Sequence, residues 1–194
     1  EDLDSAPYPT APVVPFMEIV HDRLTVEVAR GCARGCRFCH AGSVYRPVRE
    51  RAPSTVKEIL RRSLEKTGYE EISLSSLSIG DYTSLSSLVP ELMVDFQEDC
   101  TAISLPSLRP GTLNPSLLKE INKVRKTGFT MAPEAGTRRL RGVINKEMAE
   151  EVVMENFLTV LKAGWELLKL YFMIGLPTET EEDLKGIVEL CRRA

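Results

Sequence analysis

Cys32, Cys36 and Cys39 fall in one short stretch, Gly31-Cys32-Ala33-Arg34-Gly35-Cys36-Arg37-Phe38-Cys39, directly after a strand-like run. Three thiolates so close together can hold three corners of a cubic iron–sulfur cluster and leave the fourth iron without a protein ligand. An open iron is a chemical site and not just an electron store. Two other groups compete for the same side chains. Cys36-Arg37-Phe38-Cys39-His40 satisfies the Cys-x2-Cys-His pattern of haem attachment, which would make the chain a c-type cytochrome-like electron-transfer protein. That reading leaves Cys32 unexplained and expects an exported, mostly helical protein. Cys32, Cys36, Cys39 and His40 would otherwise close a zinc site and make the chain a zinc-binding module, although adjacent Cys39 and His40 are awkward co-ligands.

The bulk composition narrows the setting. The chain has 194 residues, 43% of them hydrophobic, enough for one globular domain with a real core. A formal net charge of -3 gives no global basic field to draw in nucleic acid. Five cysteines, an odd number with three in one loop, do not read as a secreted disulfide framework. A reducing compartment and a metal fit better. No apolar run approaches the roughly 18 residues of a membrane span. The N-terminus has no basic-then-apolar signal pattern, so the cytoplasm is expected. The chain opens on Glu1 and carries Pro7, Pro9, Pro12 and Pro15 early, so residues 1–21 read as a linker or N-terminal extension of an excised or processed piece.

Behind that extension, short apolar strands alternate with amphipathic helices. Leu24–Ala29 is the first strand. Thr55-Val56-Lys57-Glu58 reads as a capping box for a helix with Val56, Ile59, Leu60 and Leu64 on one face and Gly68 as its stop. Ile72–Ser75 is the second strand, followed by a helix between Ser84 and Glu98 that contains Pro90. Ala102–Leu105 is the third strand. Asn114 as cap, Pro115 at the first helical position and Gly128 past the end delimit the next helix. Phe129–Ala132 is the fourth strand, and a helix from about Lys146 to Ala163 buries Val152, Val153, Phe157, Val160 and Leu161. Leu167–Ile174 is the fifth strand. Thr178-Glu179-Thr180-Glu181 caps a last helix with Leu184, Ile187, Val188 and Cys191 on one face.

This rhythm implies right-handed βαβ units and a parallel sheet, hence an α/β fold. The chain stops at Ala194 where a sixth strand would fall, so the expectation is a partial, truncated (β/α) barrel over residues 22–194. One strand parity gives Leu24, Val26, Val28, Ile72, Leu74, Ile103, Leu105, Phe129, Met131, Leu168, Leu170 and Phe172, which should face the helices. The other gives Thr25, Glu27, Ser73, Ser75, Ser104, Thr130, Lys169 and Tyr171. A lumen this polar should meet water or a polar ligand rather than close on itself.

In this order the motifs resemble the core of the radical S-adenosylmethionine (radical SAM) superfamily. Within it the chain is similar to the branch of the methylthiotransferases and the elongator catalytic subunit, and to members with an upstream cobalamin-binding-like domain. The resemblance rests on the Cys-x3-Cys-x2-Cys loop with an aromatic before its third cysteine. It rests equally on Met173-Ile174-Gly175-Leu176-Pro177-Thr178-Glu179-Thr180, which resembles the family's Ile-Gly-Phe-Pro-Gly-Glu-Thr segment ending strand five. The resemblance implies an enzyme whose 4Fe–4S cluster reductively cleaves SAM to a 5′-deoxyadenosyl radical that abstracts hydrogen from an unknown substrate, RNA or protein among the candidates.

By the same resemblance Cys32, Cys36 and Cys39 are the cluster ligands, and Phe38 packs beside cluster and adenine. Asp81 stands where the family often has Gly-Gly-Glu and would meet the SAM amine. Glu134, in Ala132-Pro133-Glu134-Ala135-Gly136, matches the Glu-x-Gly that reaches the ribose or methionine part. Arg138 or Lys146 would pair with the SAM carboxylate, and the backbone at Ile174 and Gly175 would meet adenine. An electron donor such as flavodoxin or ferredoxin is implied, with cobalamin an option through a domain outside this chain.

Other residues have plainer expectations. Arg46, Arg49 and Arg51 follow the cysteine loop and form a solvated surface or a hold for an anionic substrate or RNA phosphate. Cys100 and Cys191 read as buried thiols, Trp165 as packing, and His21 and Asp22 as a turn. Glu150, Glu151, Glu181, Glu182 and Asp183 read as solvated helix faces and starts.

Overall fold

Runs of β-branched and apolar residues become parallel strands in the computed structural model, which describes residues 2–17, 19–106, 108–112, 114–125 and 128–194. The core strands are Leu24–Glu27 (β1), Glu71–Ser75 (β4), Ala102–Ser104 (β5), Phe129–Glu134 (β6) and Leu168–Phe172 (β7). Two very short strands, Ala29–Arg30 (β2) and Arg49–Glu50 (β3), form a separate antiparallel pair. The helices are Ala41–Val44 (α1), Pro53–Thr67 (α2), Leu85–Phe96 (α3), Pro115–Ile121 (α4), Arg138–Val143 (α5), Glu150–Lys162 (α6) and Glu181–Arg193 (α7).

β1, β4 and β5 pair in that order, with Leu24 opposite Ile72 and Ile72 opposite Ile103, all parallel. β6 and β7 form a second parallel ladder with Phe129 opposite Leu168. β4, β5, β6 and β7 are each followed by helix, and β1 reaches α2 through the β2–β3 excursion, so the α/β class and the parallel strands stand as the strand–helix rhythm implied.

The strand parity sorts as expected on its apolar side. Leu24, Val26, Val28, Ile72, Leu74, Ile103, Phe129 and Met131 are buried in one core with α2, α3, α4 and α6, and Leu105, Leu168, Leu170 and Phe172 pack half-buried against it. On the other face Thr25, Thr130, Lys169 and Tyr171 are exposed. Ser73 and Ser104 are buried because β4 and β5 flank each other in register there. Trp165 packs edge-on against Phe129 with ring centroids 5.5 Å apart, as a structural residue should.

Several boundaries move. α2 starts at Pro53, not at Thr55, and no side chain of its own first turn caps it. The cap comes from Asp4, whose Oδ1 and Oδ2 accept from the Ala52 N–H at 2.9 and 3.2 Å. Gly68 ends the helix in the left-handed region, as its freedom at φ 68° allows. The expected helix from Lys146 begins only at Glu150, and α5 precedes it. The helix after Asn114 ends at Ile121, while Lys126 and Thr127 of its expected span lie outside the described residues.

The N-terminal segment also differs from a free linker over its first ten residues. Leu3 is buried, and its carbonyl accepts from Arg51 Nη1 at 2.6 Å. The Tyr8 hydroxyl donates to the Thr25 carbonyl, and Lys66 Nζ donates to Thr10 Oγ1 at 3.1 Å. Glu1 and Glu18 of the 1–21 segment lie outside the described residues. Asp4→Ala should therefore cost about 1 kcal/mol, the usual worth of a helix cap, read as a lower urea midpoint at unchanged slope. An unchanged midpoint would show that Asp4 does not hold α2.

α7 turns a different face inward than its apolar spacing suggests. Asp183 and Leu190 are buried and Gly186 and Ile187 half-buried, while Leu184, Val188 and Cys191 are exposed. Cys100 is exposed as well, so neither thiol is the buried one expected. The reason is steric. A Cβ on Gly136 would lie 2.2 Å from the Ile187 nitrogen and 2.5 Å from the Asp183 carbonyl, so α7 meets the end of β6 backbone to backbone. Only a glycine on each side allows that approach, and Gly186 is the glycine that α7 offers.

Candidate functional site

The cysteine loop hangs between β2 and β3, whose pairing of Ala29 with Glu50 and Arg30 with Arg49 ties its two ends together. Gly31 opens it at φ 93°, where a Cβ would lie 2.5 Å from the Tyr45 carbonyl and 2.8 Å from that of Pro47. Inside the loop the Cys39 N–H donates to the Cys36 carbonyl at 3.0 Å. A distant segment clamps it: the Arg37 N–H donates to the Ile144 carbonyl at 2.9 Å, and Asn145 Nδ2 to the Gly35 carbonyl at 2.8 Å. The stretch following α5 thus sets where the cysteines stand relative to β6.

All three thiols are half-buried and free, and with Arg34, Phe38, Arg109, Glu134 and Lys146 they line one cavity of about 250 Å³. Among the described residues no three metal-binding side chains converge as on a single ion. Three thiolates on one cavity are the donor set of a 4Fe–4S cluster with an open iron, whereas a closed zinc site needs a fourth ligand. The cations Arg34, Arg109 and Lys146 around the same space suit the negative charge that thiolates and a cluster would bring. The residues present fit the group.

Glu134 enters from the end of β6, at the register shift between Met131 and Glu134, with φ 68°. Lys146 Nζ donates to its Oε1 at 2.9 Å, and both side chains are mostly buried. Asp81 instead lines an adjoining cavity of about 410 Å³, which shares Cys32, Arg34 and Ser78 with the first. Both its oxygens are taken by the Arg34 guanidinium, Nε at 2.7 Å and Nη2 beside Oδ1. That hydrogen bond holds the Asp81 carboxyl below the usual range, with burial opposing it and Ser78 and Arg109 helping.

The other expected site residues are more dispersed. Ile174 is 75% exposed just past β7, and the Gly175 N–H donates to Glu179 Oε1 at 3.0 Å. Arg138 is exposed, pairs with Glu147 at 3.3 Å and does not line the cysteine cavity. Arg46 Nε donates to the Gly42 carbonyl at 2.8 Å and Arg49 Nη2 to that of Tyr45 at 3.0 Å, so both brace the loop beside the cavity. Arg51 must be withdrawn from that group. It is 2% exposed, with its guanidinium on the carbonyls of Glu27 and Leu3. Arg34 was visible in the sequence as the cation between two cysteines, whereas nothing local marks Arg109 or Asn145.

The sequence profile of the Radical SAM superfamily matches residues 26–191. An uncharacterized protein of Methanocaldococcus jannaschii is 36% identical over 169 residues, 87% of this chain and 36% of its own length. The threonylcarbamoyladenosine tRNA methylthiotransferase MtaB of Treponema pallidum is 27% identical over 183 residues, 90% of this chain and 37% of its own. In fold, the radical SAM methyltransferase TsrM from Kitasatospora setae is similar with a TM-score of 0.70 at 15% identity, covering 87% of this chain and 34% of that one. The chain spans little more than a third of the length of these curated relatives. Nothing in these likenesses supports a c-type cytochrome or a zinc module. A three-cysteine cavity at the ends of parallel strands and a profile match over residues 26–191 lead to one family: the chain belongs to the Radical SAM superfamily, enzymes that use a 4Fe–4S cluster and S-adenosylmethionine.

Proposed function

We propose that residues 22–194 are the catalytic domain of a radical SAM enzyme, with the cluster on Cys32, Cys36 and Cys39 and SAM across the C-terminal ends of the strands. The observation that carries this reading is the single cavity shared by the three thiols, Glu134 and Lys146. When bound, cluster and SAM supply a one-electron reductive cleavage that yields a hydrogen-abstracting 5′-deoxyadenosyl group.

The chain's own residues bind and orient. Phe38 gives an apolar wall beside the cysteines, and the exposed Ile174 with the Gly175 backbone gives a second surface for adenine. Glu134, with one oxygen held by Lys146, accepts from the ribose hydroxyls or the amine. Lys146, which lines the cavity, pairs with the SAM carboxylate in preference to Arg138, whose exposed side chain pairs with Glu147. Asp81, kept ionised by Arg34, is a second carboxylate on the amine side.

MtaB is named for a tRNA, and the TsrM structure holds cobalamin. For this chain we propose an RNA or other anionic substrate beside Arg46 and Arg49, with cobalamin, where used, contributed by another domain. Flavodoxin or ferredoxin would deliver the electron, in the cytoplasm. No helix among the described residues is long and apolar enough to cross a membrane.

Anaerobic reconstitution with iron and sulfide, followed by dithionite and SAM, tests the reading. A brown protein that forms 5′-deoxyadenosine supports it, and sharp Soret bands or a colourless zinc-loaded protein overturns it. Glu134→Gln and Lys146→Met should keep their iron but bind SAM about tenfold more weakly, roughly 1.4 kcal/mol for one charge-assisted hydrogen bond. Unchanged SAM affinity in both would remove the pair from the binding site.

A further inference from the structure

We propose that Arg109 is a positioning residue that raises the reduction potential of the cluster by holding its guanidinium against the Cys36 sulfur. The inference rests on the radical SAM reading above and on what surrounds this one side chain. Arg109 Nη1 lies 3.8 Å from Cys36 Sγ, within reach of a hydrogen bond to sulfur. It is the one hydrogen bond this guanidinium makes among the described residues.

Arg109 stands on a pinned loop. Leu108 before it is buried in the main core. The Arg109 carbonyl accepts from both the Thr112 N–H at 3.1 Å and the Thr112 hydroxyl at 2.7 Å. The Gly111 N–H donates to Asn156 Oδ1 of α6 at 3.2 Å. A Cβ on Gly80 would lie 2.1 Å from Thr112 Oγ1, so the turn after β4 closes directly on this loop. A guanidinium launched from such a base is held, not merely nearby.

The other cations of the cavity are already matched. Arg34 forms its ion pair with Asp81, and Lys146 with Glu134. Asp81 also feels Arg109, but it is neutralised by Arg34 first. Cys32 accepts a hydrogen bond from the Arg34 backbone N–H, at 3.4 Å, and feels the Arg34 guanidinium electrostatically, as Cys36 does. Among the described residues Cys36 is thus the loop sulfur that accepts from a guanidinium, that of Arg109.

Reduction adds one electron to a cluster that thiolates already make negative. A cation and N–H donor at one sulfur stabilise the reduced form more than the oxidised form, which raises the potential. The electron comes from any low-potential one-electron donor, dithionite in the test below.

The wild type and the Arg109→Met, Arg109→Gln and Arg109→Lys variants would be reconstituted anaerobically, their iron counted, and a mediated dithionite titration followed by electron paramagnetic resonance. All four should carry a full cluster. At the wild-type midpoint the reduced-to-oxidised ratio should fall about tenfold in the Met and Gln variants, about 59 mV for a one-electron couple. The Lys variant should retain most of the wild-type value. A Met variant with the wild-type midpoint overturns the proposal. Failure of both Met and Gln variants to take up iron, with a loaded wild type, also overturns it, since Arg109 would then act in assembly. A wild type that builds no four-iron cluster overturns the radical SAM reading and this inference together, whereas a normal cluster with unmoved midpoints sinks this inference alone.

Discussion

Cys36→Ala protein, reconstituted with iron and sulfide, should form less than about a hundredth of the 5′-deoxyadenosine made by the unchanged chain, because outer-shell changes alone already cost roughly 10–100-fold at metal sites. Cys36 is the sulfur at the centre of the loop, bounded by the Cys39 N–H on its carbonyl and the Arg109 guanidinium on its Sγ. Its removal leaves two thiolates for a cluster that needs three, and no other cysteine is within the cavity to replace it. Iron content and the broad visible absorbance should fall with activity. Cys32→Ala and Cys39→Ala should behave alike. By contrast, Cys100→Ala and Cys191→Ala, both exposed and outside the cavity, should change nothing in either readout. Full SAM cleavage by any one of the three loop variants would falsify the cluster assignment.

The second large effect is on stability. Asp183→Ala should lower the unfolding free energy by about 3 kcal/mol, since a buried, fully bonded carboxylate is lost and its donors are stranded. Asp183 is 2% exposed and accepts from the Thr180 N–H and the Thr180 hydroxyl, each at 2.9 Å. It also accepts from the Thr137 hydroxyl and the Arg139 guanidinium, at the N-cap and in the first turn of α5, just after Glu134 at the end of β6. One carboxylate therefore caps α7 and fastens it to the strand end that carries the candidate SAM ligand.

Burial pushes the Asp183 carboxyl up, but the bonds from Thr137, the Thr180 backbone, Arg139 and the Thr180 hydroxyl outweigh it and hold it far below the usual carboxylate range. A folded-state value below the unfolded one, near 3.9, means stabilisation that is complete above about pH 4 and lost as pH falls further. Urea midpoints at pH 7 and pH 3 test this in the wild type and in Asp183→Asn. The wild type should lose more stability across that interval than the variant does. Equal losses would show that Asp183 is not an acid-sensitive clamp.

Much of this could be read locally. The cysteine spacing, the apolar parity of Val26, Ile72, Ile103 and Met131, the stop at Gly68 and the start at Asn114–Pro115 depend on neighbours within a turn or a strand. Periodicity and backbone freedom act over that range, so they leave a pattern in the residues. Even the polar parity of Thr25, Thr130, Lys169 and Tyr171 announced an open face.

What the chain could not announce is which distant groups meet. Asp4 caps a helix that starts 49 residues later, Asn145 holds Gly35 across 110 residues, and Arg109 reaches Cys36 across 73. Arg51 looked like substrate-facing charge and is buried on backbone carbonyls; Asp183 looked like a solvated helix start and is a buried clamp. α7 turned its glycine, not its valine, toward β6 because backbone contact there leaves no room for a Cβ. These outcomes depend on excluded volume and on satisfying buried polar groups once the strands are assembled, and no local pattern encodes either.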